Sequence, residues 1–210
     1  VEADVSILVD FFDTNGNRTG GATVQTDSND DVLSAPSIAA SNDGGYLVVY
    51  TREKDSDGTF DIVSRHVNAN GTVDAEQSVF DSSSTSSNTS TQEAEVAALT
   101  NGNYVVAFVN PSNGFDPQFK FVGQAGGVSG GGAGPGFQVS LNDAEETDVQ
   151  IAALAGGGFV VAWSGSDGDS AGIRYSVYNS NGGAVKEDKS GGGIIANTTT
   201  AGVQSGPDVA

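Results

Sequence analysis

The sequence predicts an all-β protein built as a β-propeller-like array of four-stranded antiparallel sheets, or blades. Three observations predict it: a phrase that recurs about every 55 residues, strands that are apolar at every position, and the lack of a sustained helical period in a chain with 30 glycines. Full versions of the phrase begin at Ile38, Val96 and Ile151, and a further one begins at Val209. A period of this length indicates an array of identical supersecondary units.

Each unit is predicted to contain four short strands. In the first complete unit these are residues 38–40, 46–50, 60–67 and 77–80. The second strand is apolar throughout, which is typical of a sheet buried on both faces, as in a propeller blade stacked between neighbours. A β-sandwich is the alternative, although its strands are expected to alternate apolar and polar residues.

A hairpin signal runs in step with the phrase. The segments that begin at Asp13, Asn68 and Asn179 read Asx-x-Asn-Gly, and Gln124-Ala-Gly-Gly takes the place of the third copy. Asn-Gly between two extended segments predicts a type I′ turn, because both residues tolerate a positive φ. We therefore expect a tight turn between the third and fourth strands of every unit.

The repeat divides the chain into whole and partial units. Residues 36–94, 95–149 and 150–206 are each predicted to form a blade. Residues 1–35 supply the third and fourth strands of another blade, and residues 207–210 begin a next one. Propellers typically have ~4–8 blades, so we expect the chain to be a fragment of a longer array or to be completed by another chain.

The net charge limits the classes of molecule that the chain can bind. Asp and Glu number 27 against 8 Lys and Arg, giving a net charge of −19. Such a surface repels nucleic-acid phosphates and anionic membranes, which excludes both as primary partners, and it favours cations. The chain contains no cysteine and no apolar run long enough to cross a membrane, so neither disulfides nor membrane insertion are expected.

One acidic loop is the best candidate for a metal site. Glu53, Asp55, Asp57 and Asp61 stand at the first, third, fifth and ninth positions of a segment with glycine at the sixth. A hard cation such as calcium needs six to eight oxygen ligands, and alternate side chains of a tight loop converge on one point. The sequence therefore predicts a calcium site here, with a solvated acidic hairpin tip as the alternative.

The other residues considered are weaker candidates for metal binding or catalysis. The equivalent loop of the last unit offers Asp167 and Asp169, and its calcium binding is expected to be weaker. His66 is the only histidine and lies within a strand, so we interpret it as a residue of the core or of a groove. No carboxylate stands out beside an aromatic pocket, which does not favour catalysis, although a glycosidase with paired carboxylates stays open.

The repeated phrase resembles a known class of repeats. Residues 152–163 read Ala-Ala-Leu-x-x-Gly-Gly-Phe-Val-Val-Ala-Trp and are followed by an acidic loop and an Asx-x-Asn-Gly turn. This pattern resembles repeats of very large secreted bacterial proteins, namely surface adhesins and calcium-dependent proteins exported by type I secretion. The resemblance implies a location outside the cell or on the bacterial cell surface, bound calcium, and a glycan or cell-surface ligand.

Three functions follow as hypotheses. The first is a non-enzymatic extracellular structural or adhesive repeat module, stabilised by calcium and belonging to a larger surface or secreted protein. The second is a carbohydrate-active propeller enzyme or a glycan-binding lectin, which requires a cleft holding two carboxylates about 5–10 Å apart. The third is a self-assembling fibre or coat subunit whose incomplete blade is finished by strands of a neighbouring chain.

Overall fold

The described residues of the chain form four antiparallel sheets, which confirms the all-β prediction. The computed structural model describes residues 5–26, 32–53, 60–82, 93–110, 114–129, 136–140, 146–186 and 192–210. Within these ranges no helix has the length and apolar character needed to cross a membrane.

Sheets A and B come first along the chain. Sheet A is the hairpin of β1 (Ser6–Phe12) and β2 (Arg18–Thr26). Sheet B is a meander of four strands in sequence order, each antiparallel to the next. Its strands are β3 (Leu33–Ala40), β4 (Tyr46–Glu53), β5 (Phe60–Val67) and β6 (Gln77–Phe80).

Sheets C and D follow the same plan, except that two short segments share the outer edge of each. In sheet C the strands are β7 (Ala94–Ala98), β8 (Tyr104–Asn110), β9 (Asp116–Val122), β10 (Val128–Ser129) and β11 (Phe137–Gln138). The last two both pair with β9. In sheet D they are β12 (Thr147–Ala153), β13 (Phe159–Ser166), β14 (Ala171–Tyr178), β15 (Ala184–Lys186) and β16 (Ile194–Ile195), and the last two both pair with β14.

The sheets stack face to face with their first strands side by side. Strand β7 lies against β3 and β4 on one side and against β12 on the other. One hydrophobic cluster fills each of the three spaces between successive sheets. This is the arrangement of blades around a propeller axis, as the sequence predicts.

Burial on both faces explains why the second strands are apolar throughout. Leu47 and Val49 of β4 belong to the cluster between sheets B and C. Val48 and Tyr50 point the other way and belong to the cluster between sheets A and B. Because side chains alternate along a strand, only a continuous apolar run can serve both interfaces.

The hairpin turns differ from the predicted type I′ geometry. In the first, the Gly16 amide donates to the Asp13 carbonyl at 3.0 Å, and Gly16 has a φ of 81° while Asn15 is not left-handed. This is a type I turn followed by a left-handed glycine, so only the glycine needs the positive φ. Asp13 completes the turn, because its Oδ1 accepts from the amides of Asn15 and Asn17 at 2.9 and 2.8 Å.

The third copy of this turn lies one residue earlier than predicted. The Gly126 amide donates to the Gly123 carbonyl, so Gly123 and not Gln124 stands at the first position. Gly126, with a φ of 81°, matches the left-handed glycine of the other copies. The misalignment arose because glycine replaces the Asx residue that marks this position elsewhere.

These left-handed glycines also join successive sheets. In sheets B, C and D this glycine packs on a third-strand residue of the preceding sheet, close enough that a Cβ in its place would make contact. The distances to that Cβ position are 3.7 Å for Phe11 and Gly71, 3.9 Å for His66 and Gly126, and 3.2 Å for Phe121 and Gly182. The interfaces therefore repeat in their details as well as in their composition.

Candidate functional site

Part of the predicted calcium loop can be placed. Glu53 ends β4 and pairs with Phe60, while Asp61 stands opposite Arg52 at the start of β5. Asp55 and Asp57 lie outside the described residues. The Asp61 carboxylate accepts from the Ser82 amide at 2.8 Å and from the Ser82 hydroxyl at 3.2 Å. Asp61 therefore ties the end of the fourth strand to the third.

The loop of sheet D is organised by one carboxylate. Asp167 is 8% exposed, and its side chain accepts from the amides of Ser170 and Asp169 and from Asn197 Nδ2, at 3.0, 3.2 and 3.0 Å. The Ser170 amide and then Asn197 are the main reasons why the pKa of Asp167 lies below its ordinary value. Asp169 is exposed and contributes its backbone to this arrangement.

The described carboxylates do not converge as metal ligands. Among the residues that the structure describes, no group of three His, Asp or Glu side chains is close enough to share an ion. Calcium at Glu53, Asp55, Asp57 and Asp61, and weaker calcium at Asp167 and Asp169, stay predictions. His66 is 4% exposed and packs edge-on to Tyr104, between sheets B and C.

A buried carboxyl pair, which sequence reasoning missed, lies between sheets C and D. Asp116 begins β9 and is 6% exposed, while Glu146 directly precedes β12 and is fully buried. Glu146 Oε1 accepts from the Ser140 hydroxyl at 2.7 Å, and Asp116 Oδ2 accepts from Gln138 Nε2. The negative charge of Asp116 is one of the influences that raise the pKa of Glu146.

This environment favours a neutral Glu146. Burial, the largest cause, raises its pKa to about 7, and the adjacent Asp116 carboxylate acts in the same direction. The hydrogen bond from Ser140 and the more distant charge of Arg174 oppose the change. Glu146 therefore keeps its proton to a higher pH than an exposed carboxyl group does.

The repeat identifies both members of the pair. Ala40 of sheet B and Ala153 of sheet D each pair with the first residue of the second strand, so these two positions correspond. Seven residues before them stand Leu33 in sheet B and Glu146 at the start of sheet D. Asp116 occupies the position of Asp61. An acid at a position where another unit buries leucine is the signal that an alignment of the units would have revealed.

A buried cation lies in the neighbouring interface. Lys120 of β9 is fully buried, and its Nζ donates to the Val79 carbonyl of sheet B at 2.6 Å. Burial lowers its pKa to about 8.

The carboxyl pair is more enclosed than the catalytic carboxyl groups of a glycosidase. Such enzymes hold two carboxyl groups about 5–10 Å apart across a space that admits the sugar. Asp116 and Glu146 are almost fully enclosed, and the described grooves beside β1 and β14 are lined by other residues. The pair is therefore placed to bind and release a proton within the fold.

Comparisons with known proteins add little to this picture. No family model and no curated protein matches the sequence. Similar solved structures include the "putative exo-beta-1,3-galactanase from Bifidobacterium bifidum s17", at 14% sequence identity and a TM-score of 0.47. The likeness covers 86% of this chain and 57% of that one, so the chain spans little more than half of that structure.

Proposed function

We propose that the chain is a non-enzymatic structural repeat module of an extracellular or bacterial cell-surface protein. The observation that supports this proposal is that the described acidic side chains hold parts of the fold together. Asp61 and Asp167 hold connections and loops in place, and Asp116 and Glu146 are enclosed between sheets. We therefore assign these carboxyl groups a structural role within and between the units.

The location rests on charge and on the repeat. A net charge of −19 keeps an exposed array soluble and attracts cations, which suits a calcium-rich exterior. The repeated phrase resembles repeats of secreted bacterial adhesins, for which a glycan or cell-surface ligand is the expected partner. In this proposal calcium occupies the loop from Glu53 to Asp61 and stiffens the module.

Turnover assays test the non-enzymatic role. The chain is incubated with a panel of plant, animal and bacterial polysaccharides, and the release of reducing ends is followed. We expect no release above that of a heat-denatured sample, because the buried pair cannot reach a glycosidic bond. Release that is lost in both Glu146→Gln and Asp116→Asn, but not in the exposed control Glu93→Gln, would contradict the proposal.

A further inference from the structure

A groove separates sheet A from the first strand of sheet B. It has a volume of about 280 Å³ and is lined on one side by Ile7, Leu8, Val9 and Asp10, and on the other by Pro36, Ser37, Ile38 and Val48. Side chains of consecutive residues point to opposite faces of a strand. Because four consecutive residues of β1 border the groove, it runs along the edge of this strand.

The edge of β1 differs from its counterparts in the other sheets. Strands β5, β9 and β14 each pair with a second strand on one side and with a fourth strand on the other. In the described part of the chain β1 pairs only with β2, which holds the fourth-strand place. The groove lies where the second strand of a complete sheet would run.

Ile38 shows what this place is missing. Its repeat counterparts Val96 and Ile151 are 8% and 9% exposed, because the first and second strands of the preceding sheet cover them. Ile38 is 50% exposed, although it has the same position in β3. Sheet A has no strand in either of these places among the described residues, and Ile38 borders the groove.

We propose that this groove binds an extended apolar strand of the same type as β4, β8 and β13, which adds to the free edge of β1 and covers Ile38. Strand addition to an exposed sheet edge takes its affinity from main-chain hydrogen bonds and its specificity from alternate side chains. The three complete sheets define the occupant, since at this place each carries an aromatic residue, three aliphatic residues and a second aromatic residue. The partner is therefore a peptide segment of this composition.

The inference rests on the sheet arrangement and is independent of the non-enzymatic role. A turnover result leaves it untouched, and a failure of strand binding leaves the proposed function standing. It also goes beyond that function, because it assigns a place and a chemistry to a contact with another segment.

A synthetic peptide tests the proposal. The probe is the fluorescein-labelled sequence of residues 103–110, Asn-Tyr-Val-Val-Ala-Phe-Val-Asn, with two added glutamates so that attraction to the acidic chain does not contribute. We expect saturable binding by fluorescence anisotropy, with slower hydrogen exchange at the amides of β1. A peptide carrying Val106→Pro should bind at least tenfold more weakly, because proline cannot donate to the ladder.

Two protein variants locate the site. Ile38→Asp places a charge in the groove and should weaken binding at least tenfold, while Val203→Asp, at a residue 71% exposed elsewhere, should leave it unchanged. Equal binding of the two peptides, or binding that Ile38→Asp does not weaken, would overturn the proposal, as would no binding at all. Dimers of the chain that Ile38→Asp abolishes and the peptide cannot displace would overturn it in favour of a second copy.

Discussion

Neutralising Glu146 should change how the stability of the chain depends on pH. The pKa of this group rises from 4.5 to about 7 on folding, and each pKa unit corresponds to about 1.4 kcal/mol. Ionising Glu146 in the folded state therefore costs about 3 kcal/mol. Since the folded pKa is raised, the stabilising contribution is fully present below pH 4.5 and is lost as pH rises through 7.

The variant Glu146→Gln removes this titration and keeps the shape. Its amide oxygen can still accept from Ser140, and its amide nitrogen can donate to Asp116. Relative to the wild type, the free energy of unfolding of the variant should rise by about 3 kcal/mol between pH 4 and pH 8. The quantity to compare is the difference in unfolding free energy between the two proteins. Other carboxylates, such as Asp13 with its lowered pKa, change the stability of both proteins in the opposite direction as pH rises.

Urea denaturation provides the measurement. Trp163 is the only tryptophan and is fully buried in the same interface, so its fluorescence reports the loss of contact between sheets C and D. Glu93→Gln, at an exposed acid, is the matched control and should follow the wild type at every pH. Parallel curves for Glu146→Gln and the wild type would refute the assignment of a raised pKa to this group.

Other substitutions test the packing, the loop and the metal. Gly193→Ala should destabilise the fold by about 2–4 kcal/mol in the urea assay, because the left-handed backbone (φ 73°) directs a Cβ into the Trp163 ring. Gly202 is also left-handed (φ 82°) but has open space around it, so Gly202→Ala should cost only about 1 kcal/mol. Asp167→Asn should be less stable than the wild type at pH 7 and equal to it below the lowered folded pKa of Asp167, and a constant difference at all pH values would contradict the loop assignment. Calcium at ~1–10 mM should raise the melting temperature, and Asp57→Asn should reduce the rise; an unchanged melting temperature would contradict the calcium site.

Local patterns allowed much of the fold to be predicted. The third strand of sheet B coincides with the predicted range 60–67, because period and apolar content mark it directly. The turn type was wrong, since Asn-Gly is compatible both with a type I′ turn and with a type I turn followed by a left-handed glycine. Sequence alone does not say which of them the strand twist selects.

The candidate site was harder to predict than the fold. Asp61 and Asp167 attracted attention as ligands because acidic residues alternate around them, yet the structure shows them accepting hydrogen bonds from the chain itself. The carboxyl pair escaped notice because its members are 30 residues apart and one lies in an irregular connection. Only the stacking of sheet D on sheet C brings Asp116 and Glu146 together.

The recurring contact between a hairpin glycine and the preceding sheet has a mechanical consequence. Each sheet is held by its neighbours alone, so the array behaves as a chain of similar links whose stabilities add. Under a tensile force such an array unfolds one unit at a time. A unit of about 55 residues then extends to about 190 Å of chain. Unfolding one link spares those beyond its neighbours, so the array can lengthen under load and shorten again without dismantling the whole.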